Sequence, residues 1–400
     1  MDDISLKKKV LIVTLTMNHG GTGTMTRLVI DFLRERNYEV AVAHYMPYLW
    51  AKELSVPLWQ LVYKRPSYRE TTILGDVKCY QVGVRLPELE WARYVNSRLW
   101  SEVLDGYDFH MVVSGNVLPL QAILASGREC LAWIATPYLE DKLDRLKSYS
   151  RTRRLFDYIF DKPLSMLLEK KALSASNVMP MSEYTQQDFA RKVPAKSFVK
   201  MPMPIDTMMF EAKDFSGFSY HIGFAGRFDD PRKNIGLLFN AVKLCRVGGL
   251  KLELDLIGAD PTSDMVDEIK RLDLENVVNF LGSCERTDLP KFYQSIDLFV
   301  LPSTQEGLAI VGLEAMACGK PVISTRCGGP EEYIKDYGNG VLVDSNASDM
   351  AAAIQDVYSD EARYTSMSKM AIKTIEPDYS MEKVKNIFWR EFNRTYHIKD

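Results

Sequence analysis

Two glutamates eight residues apart are the most chemically informative pair in this sequence: Glu306 lies in a polar stretch and Glu314 in an apolar one. Residues 309–318 are otherwise small or apolar, and a helix that is apolar on every side is normally buried. A buried carboxylate is costly unless a partner neutralises it or donates hydrogen bonds to it. Glu314 therefore either has a structural partner, such as an arginine elsewhere in the chain, or contacts a ligand.

The position of Glu306 favours a ligand. It falls just outside the predicted helix N-terminus, and Glu314 falls about one turn inside it, so free backbone N–H groups lie between them and form an anion site. Two carboxylates beside a phosphate-sized site suit a ligand that carries hydroxyls on both sides of a phosphate. A nucleotide sugar has this layout, with a ribose diol, a diphosphate and the hydroxyls of a sugar.

A basic turn in the stretch GFAGRFDDPRKNIG forms a second constellation. The predicted strand ends at Gly226, and Arg227, Arg232 and Lys233 follow it before the next helix. Basic residues in turns are usually only solvated, but these come at the carboxyl end of a strand, the edge where open α/β sheets bind ligands. Arginine offers a planar fork to phosphate oxygens and lysine a point charge, and preorganised cations stabilise a leaving diphosphate.

Together these stretches resemble the Glu-x7-Glu signature of the retaining family-4 glycosyltransferases, which have the GT-B fold. The resemblance rests on Glu306-Gly307-Leu308-Ala309, Leu313-Glu314-Ala315-Met316-Ala317 and Gly319-Lys320-Pro321-Val322-Ile323. It implies a hexosyltransferase that takes a sugar from a nucleoside-diphosphate sugar, with UDP favoured over GDP or ADP, and retains the anomeric configuration. The amino-terminal half matches only in layout, so the acceptor, whether a glycan, a lipid-linked molecule or a small molecule, stays open.

The resemblance also implies roles for single residues. Glu314 is expected to bind the ribose hydroxyls, Glu306 the sugar hydroxyls, and Arg227 and Lys233 the diphosphate. Lys233 is preferred to Arg232 because its Lys-Asn step resembles that of the family. Glu306, Arg227 and Lys233 are the expected catalytic residues, and the donor site is completed by Gly20, Gly21, Gly307, Leu308, Ala309 and Ile310.

The acceptor side is less defined. Many relatives carry a histidine that bonds the transferred sugar where this chain has Thr136-Pro137, so Thr136 is a candidate donor to the sugar, and His19 lies beside the glycine loop. The chain has no Asp-x-Asp, the pair with which another glycosyltransferase class holds a divalent metal. The resemblance therefore implies a metal-independent reaction without a cofactor.

Alternating strands and helices must position these residues, which predicts parallel sheets covered by helices. The fold class is predicted to be α/β, GT-B, with two doubly wound Rossmann-like domains facing across a cleft. Two prolines in residues 199–210 mark the boundary between two alternating series. The predicted domains are an acceptor-side domain of residues 1–200, a nucleotide-sugar-binding domain of residues 201–378, and a helix of residues 379–400 that packs back on the first domain.

Three segments of the first domain have their own predictions. A glycine loop over residues 20–23 is expected to precede a helix over residues 24–36, and to let the backbone approach the diphosphate and the acceptor. Residues 45–100 are predicted to be irregular and rich in aromatic side chains. Residues 141–175 are predicted to be mostly helical and basic.

Composition bounds the class of protein. With 400 residues, 46% hydrophobic and 26% charged, the chain is predicted to be a soluble protein of two domains. A net charge of −3 does not suggest a nucleic-acid partner. Its six cysteines show no C-x-x-C pair and no metal-like spacing with histidine, which favours reduced thiols and a cytoplasmic location. The apolar start is short and predicts a first strand rather than a signal peptide or membrane span.

A basic stretch raises the alternative of peripheral membrane association. Six lysines and arginines between residues 142 and 154 precede an apolar and aromatic run over residues 155–160, and such a segment can lie on an anionic membrane. Four aspartates, at positions 141, 144, 157 and 161, dilute this charge, so a solvated helix face is the preferred interpretation. The oligomeric state stays open.

Other functions remain to be distinguished from the favoured one. A phosphorylase or a disaccharide-forming enzyme on the same scaffold is one alternative, and a binding subunit that kept the donor pocket but lost catalysis is another. A nicotinamide enzyme is disfavoured, because the glycine loop lacks the third glycine and the second strand ends at His44 without an acid for the ribose.

Overall fold

The computed structural model describes residues 7–15, 21–46, 48–95, 98–147, 150–228 and 230–399. The chain divides into two compact units, the first comprising Met1–Met201 with Lys385–Asp400 and the second Pro202–Val384. Each unit is a largely parallel sheet covered by helices. The predicted fold class, two Rossmann-like α/β domains, is therefore confirmed.

The first unit contains a seven-stranded sheet in the order β3-β4-β2-β1-β5-β6-β7. Every neighbouring pair is parallel except β3 and β4, which are antiparallel. Residues 10–13 of the first strand have no exposed surface, as expected for an apolar strand covered on both faces. The strands are β1 (Lys9–Thr14), β2 (Glu39–Tyr45), β3 (Tyr68–Ile73), β4 (Val77–Val82), β5 (Phe109–Ser114), β6 (Leu131–Ile134) and β7 (Asn177–Pro180).

Among the described residues before position 202, this unit has seven α-helices. The helices are α1 (Gly21–Glu35), α2 (Arg98–Leu104), α3 (Leu120–Leu124), α4 (Tyr138–Lys147), α5 (Arg151–Phe156), α6 (Lys162–Ala175) and α7 (Glu183–Lys192). Residues 141–175 were predicted to be mostly helical, and residues 141–147 and 151–175 are helical, with a π-helical turn at Asp157–Asp161 between α5 and α6.

Two local predictions in this unit were wrong. The helix α1 begins at Gly21, so residues 21–23 form its first turn instead of a loop. Gly23 is buried there, and the Thr26 hydroxyl donates to the Thr22 carbonyl across that turn at 2.9 Å, so tertiary packing overrides the low helix propensity of glycine. Residues 45–100 are not merely irregular, because they contain the β3–β4 hairpin, whose pairing extends the sheet at the β2 edge.

The second unit contains a six-stranded sheet in the order β10-β9-β8-β11-β12-β13, with all neighbouring pairs parallel. Its strands are β8 (His221–Gly226), β9 (Glu253–Gly258), β10 (Val278–Phe280), β11 (Leu298–Leu301), β12 (Val322–Thr325) and β13 (Gly340–Val343). Its helices are α8 (Ile235–Val247), α9 (Ser263–Arg271), α10 (Leu289–Ser295), α11 (Ile310–Ala317), α12 (Ala347–Tyr358) and α13 (Glu361–Tyr379).

The last helix, α14 (Met381–Thr395), supplies residues from Lys385 onward to the first unit. Its aromatic side chains stack on that unit, with Phe388 against Phe32 and Phe392 against Phe109, each at 5.4 Å between ring centroids. The six cysteines form no disulfide, and all but Cys284 are buried. No helix within the described ranges is both long and apolar enough to cross a membrane.

Candidate functional site

The two predicted constellations meet at one edge of the second sheet. Strands β8 and β11 are parallel neighbours, so the loops that follow Gly226 and Leu301 leave the sheet at the same carboxyl edge. The loops are tied together directly, since the Thr304 amide donates to the Arg232 carbonyl at 2.8 Å. This edge is where ligands bind in open α/β sheets.

At this edge the structure brings Lys233 and Glu306 together. Lys233 Nζ donates to Glu306 Oε1 at 2.7 Å, and the Ser303 hydroxyl donates to the same oxygen at 2.6 Å. Glu306 is 9% exposed, so the ion pair is largely shielded from water. Both donors use Oε1, and no described residue donates a hydrogen bond to Oε2.

The backbone around Glu306 is clamped from the loop that follows β12. The Glu306 amide donates to the Cys327 carbonyl at 2.7 Å, and the Gly329 amide donates to the Glu306 carbonyl at 3.0 Å. A Cβ atom at Gly329 would lie 2.4 Å from Leu308 Cα, so only glycine allows this approach. The close contact holds the polar loop against the sheet edge.

Helix α11 begins immediately after this loop. Ala309 precedes it in a left-handed conformation, with φ of 59°, and its carbonyl accepts from the Tyr333 hydroxyl at 3.2 Å. The amides of Leu308, Ala309 and Ile310 donate to no described residue. These three N–H groups at the positive end of a helix are therefore available to an anion.

Glu314 has two structural partners inside the second unit. Arg286 Nη2 lies 2.8 Å from Glu314 Oε1, and the Tyr293 hydroxyl donates to Oε2 at 3.1 Å. The carboxylate is 2% exposed, and its burial raises its pKa, while Arg286 and Tyr293 act in the opposite direction. Sequence reasoning anticipated an arginine partner in general terms but did not identify Arg286, which follows β10 in a stretch without a motif.

The remaining cations of the basic turn converge on Asp230. Arg232 binds this carboxylate through two nitrogens, at 3.1 and 2.8 Å, and Arg227 Nη2 lies 3.1 Å from it. Burial alone would raise the pKa of Asp230, but the bonds and charge of Arg232 lower it. The Arg227 side chain remains 62% exposed, so one carboxylate positions both arginines without covering Arg227.

Four of the predicted site residues fall in the first half of the sequence. His19 and Gly20 lie outside the described residues, and Gly21 is the exposed first residue of α1. Thr136 follows β6, and its hydroxyl donates to the Gly115 carbonyl at 2.9 Å. Because that proton is already in use, Thr136 can offer a ligand only a lone pair.

Sequence reasoning missed a cavity in the first unit. It has a volume of about 510 Å³ and opens beside the segment that follows β4, at the carboxyl end of that strand. Arg65, Arg85 and Arg98 line it together with Trp91. Arg98 pairs with an acid on its own helix, but Arg65 and Arg85 have no ion pair with any described residue, and Trp91 Nε1 is buried without a hydrogen-bond partner.

One group of side chains in the described chain has the composition of a metal site. His221, Glu253 and Asp255 bring their ligand atoms within 4.8 Å of one another. They lie at the amino ends of β8 and β9, the sheet edge opposite Lys233 and Glu306. His221 Nδ1 already bonds Asp255 at 2.7 Å, and Asn279 donates to both carboxylates, so hydrogen bonds within the unit hold these three side chains together.

A comparison with protein families matches residues 210–374 to the model for Glycosyl transferases group 1. A D-inositol 3-phosphate glycosyltransferase of Paenarthrobacter aurescens is 32% identical over 159 residues, which is 38% of this chain and 39% of that protein. The lipopolysaccharide core biosynthesis glycosyltransferase LpsE of Rhizobium meliloti is 32% identical over 165 residues, 41% of this chain and 46% of that protein. The chain thus matches less than half the length of these relatives.

Solved structures match over nearly the whole chain. The sucrose-phosphate synthase of Thermosynechococcus elongatus superposes with a TM-score of 0.73 at 17% identity, covering 98% of this chain and all of that chain. Anabaena Alr3699/HepE in complex with UDP superposes with a TM-score of 0.69 at 18% identity, covering 96% of this chain and all of that chain. At such identities the likeness establishes a shared fold, that of the GT-B glycosyltransferases.

Proposed function

We propose that this chain is a cytoplasmic, retaining family-4 glycosyltransferase that moves a hexose from a nucleoside-diphosphate sugar, UDP being favoured, to an acceptor hydroxyl without a metal ion. The observation that carries the proposal is the shielded ion pair of Lys233 and Glu306 beside the open amides at the start of α11. The group 1 glycosyltransferase model spans both residues, and a structural neighbour was solved with bound UDP.

The two members of the ion pair would bind different parts of the donor, Glu306 the sugar and Lys233 the diphosphate. Glu306 keeps Oε2 open, so it can accept a hydrogen bond from a sugar hydroxyl while Lys233 and Ser303 hold Oε1. Lys233 has further N–H donors, because an ammonium group carries three. A diphosphate bound next to Glu306 would therefore find a fixed cation without breaking the pair.

The cations and amides of this site would act by stabilising the negative charge that forms on the leaving group. As the bond between the anomeric carbon and the diphosphate oxygen breaks, its electron pair goes to the diphosphate, where Lys233, Arg227 and the α11 amides would meet the growing charge. The acceptor hydroxyl attacks the oxocarbenium-like carbon on the same face and passes its proton to the departing diphosphate. This path needs no side-chain nucleophile.

The role of Glu314 at the ribose is the least direct part of the proposal. Its two oxygens already bond Arg286 and Tyr293, although a carboxylate has about four acceptor positions and can bond a ribose hydroxyl in addition. The competing role is purely structural. A Glu314→Ala variant that loses nucleotide affinity while keeping its unfolding free energy supports the ribose role, whereas the reverse pattern supports the structural one.

The arginine-lined cavity supports a place for the acceptor in the first unit. It lies at the carboxyl edge of a parallel sheet, and about 510 Å³ is within the usual range for a small-molecule site. Arg65 and Arg85, which no described acid neutralises, suit an acceptor with a negative charge near its reacting hydroxyl. The weaker candidates His19 and Thr136 remain alternatives for the acceptor side.

The test is a panel of UDP-, GDP- and ADP-sugars with release of nucleoside diphosphate as the readout, in the presence of a chelator. Wild-type protein is expected to hydrolyse one donor slowly, and Glu306→Gln to lose that activity. Glu275→Gln, an exposed glutamate of the same unit, is the matched control and should behave as wild type. Product stereochemistry by NMR then tests retention, and an inverted anomer would contradict it.

Other outcomes point to the remaining alternatives. Activity with inorganic phosphate and a disaccharide, without any nucleotide, would indicate a phosphorylase on this scaffold. Nucleotide binding without turnover on any acceptor would indicate a silent binding subunit. Activity that appears only after a divalent metal is restored would contradict the metal-independent mechanism.

A further inference from the structure

A row of large apolar side chains lies exposed on the helical segment of the first unit. Leu155, Phe156, Tyr158, Ile159 and Phe160 are 61%, 38%, 68%, 51% and 58% exposed, and we name these five residues the apolar ridge. They are nearly consecutive, at the end of α5 and in the π-helical turn that follows. A contiguous apolar patch on a soluble protein usually marks an interaction surface.

The aspartates of the same segment point into the protein interior. Asp157 and Asp161 are 1% and 0% exposed, and both pair with Lys142 of α4, at 2.5 Å in the case of Asp157. Asp161 also accepts from the Glu90 amide at 3.0 Å. The buried ion cluster thus turns the acids inward, and the residues between them in the π-helical turn face solvent.

This arrangement changes the charge of the surface. Every acid between residues 150 and 175 is buried, since Glu169 is 1% exposed and binds Lys192 at 2.8 Å. The cations of the segment are exposed or half-buried; they are Arg151, Arg153, Arg154, Lys162, Lys170 and Lys171. Asp157 and Asp161, two of the four aspartates that seemed to dilute the basic charge in the sequence, therefore do not reach this face, and the exposed charges described between residues 150 and 175 are cationic.

We propose that the apolar ridge and its flanking cations form a docking surface for an anionic lipid bilayer. Aromatic and aliphatic side chains would enter the interface between headgroups and acyl chains, while lysines and arginines bind the lipid phosphates. A second copy of the chain fits poorly, because a two-fold contact through this face would bring its cations together. The proposal does not depend on the glycosyltransferase activity.

The test is vesicle flotation of the full-length protein. Vesicles of phosphatidylcholine alone are compared with vesicles containing one-third phosphatidylglycerol, at low and at physiological salt. Wild-type protein is expected to float with the anionic vesicles, and Ile159→Ser with Phe160→Ser to weaken this binding by about tenfold or more. Lys170→Gln with Lys171→Gln should weaken it less and make it less sensitive to salt.

The control for the ridge variant is Val247→Ser, an apolar residue that is 75% exposed in the second unit. It should float as wild type does. Absence of wild-type binding to anionic vesicles at low salt, or equal binding by the ridge variant, would overturn the proposal. Sedimentation that shows a wild-type dimer and a monomeric ridge variant would also overturn it, because a second copy would then cover this face.

Discussion

Glu306 and Glu314 are identical side chains on either side of one helix start, yet the second unit places them in opposite settings. Glu306 shares one oxygen between Lys233 and Ser303 and keeps the other open. Glu314 is almost fully buried, with Arg286 on one oxygen and Tyr293 on the other. The first carboxylate therefore keeps one oxygen available to a ligand, whereas both oxygens of the second are already bonded within the fold.

The comparison separates function from stability. Around Glu306, substitutions should change turnover more than they change the unfolding free energy, because one carboxylate oxygen is open and the other has two donors. Around Glu314, they should first change stability, because an unpaired charge inside the protein is costly. Four predictions test this division, beginning with the largest expected effect.

Replacement of Lys233 should abolish most donor turnover. Lys233→Ala is expected to lower the rate of nucleoside diphosphate release by about 10²–10³-fold, the usual cost of removing one preorganised charge-stabilising donor. The unfolding free energy in urea should fall by about 1–2 kcal/mol, because Glu306 loses one buried partner while the Ser303 hydroxyl still donates to its Oε1. Lys243→Ala, which removes a lysine paired with Asp273 at 3.1 Å in the same unit, should leave the rate unchanged. Equal rates in both variants would contradict the assignment.

Replacement of Arg286 should mainly lower stability. Arg286→Ala leaves the Glu314 carboxylate buried with Tyr293 alone, and a loss of about 2–3 kcal/mol in unfolding free energy is expected. The loss is held below the full cost of an unpaired buried charge because Arg286 is partly exposed and Glu314 can take up a proton. The control Arg271→Ala breaks an exposed pair with Glu268 and should cost less than about 0.5 kcal/mol. A loss of nucleotide affinity without destabilisation would instead make Glu314 a ligand group.

Removal of the Tyr293 hydroxyl should also lower stability, but by less than the replacement of Arg286. Tyr293→Phe deletes the donor to Glu314 Oε2 within a fully buried side chain, and about 1–2 kcal/mol of stability should be lost. Tyr220→Phe, in a partly exposed ring of the same unit, is the matched control and should be near neutral. Thermal or urea unfolding of both variants measures the difference.

The pH dependence of stability should show the smallest effect. Burial raises the pKa of Glu314 above its usual value of 4.5. Between pH 4.5 and this raised pKa, the folded protein binds more protons than the unfolded chain. Stability attributable to this group therefore falls as pH rises through that window. Glu314→Gln should accordingly gain stability relative to wild type as pH increases from about 4.5, in urea unfolding at stepped pH. A stability difference between Glu314→Gln and wild type that does not change with pH would mean that Arg286 and Tyr293 compensate the charge of Glu314 completely.

Much of the second unit was predictable because its signals are local. The alternation of apolar strands and helices predicts a parallel sheet, and the carboxyl ends of its strands must share one edge. Lys233 and Glu306 follow two such strands, so their proximity required only that β8 and β11 be neighbours. The partner of Glu314 was not predictable in the same way, because Arg286 lies in a short turn before α10 that carries no pattern of its own.

The structure of the first unit was less predictable from the sequence than that of the second. Its glycine-rich start looked like a loop but is the first turn of α1, because packing of the buried Gly23 outweighs propensity. The β3–β4 hairpin lies in a segment rich in aromatic side chains whose periodicity was not recognised. The arginine-lined cavity joins residues from position 65 to position 100 and has no signature in the sequence.

By itself the sequence determined the fold class and the edge of the second sheet where Lys233 and Glu306 meet, because periodicity and strand ends are properties of neighbouring residues. Only the tertiary structure decided which charges are neutralised. Arg286 reaches Glu314, and Lys142 draws Asp157 and Asp161 into the interior, through contacts between separate elements. Since a carboxylate is stabilised by whatever lies within a few ångströms of it, its charge at the surface depends on the fold and not on its position in the chain.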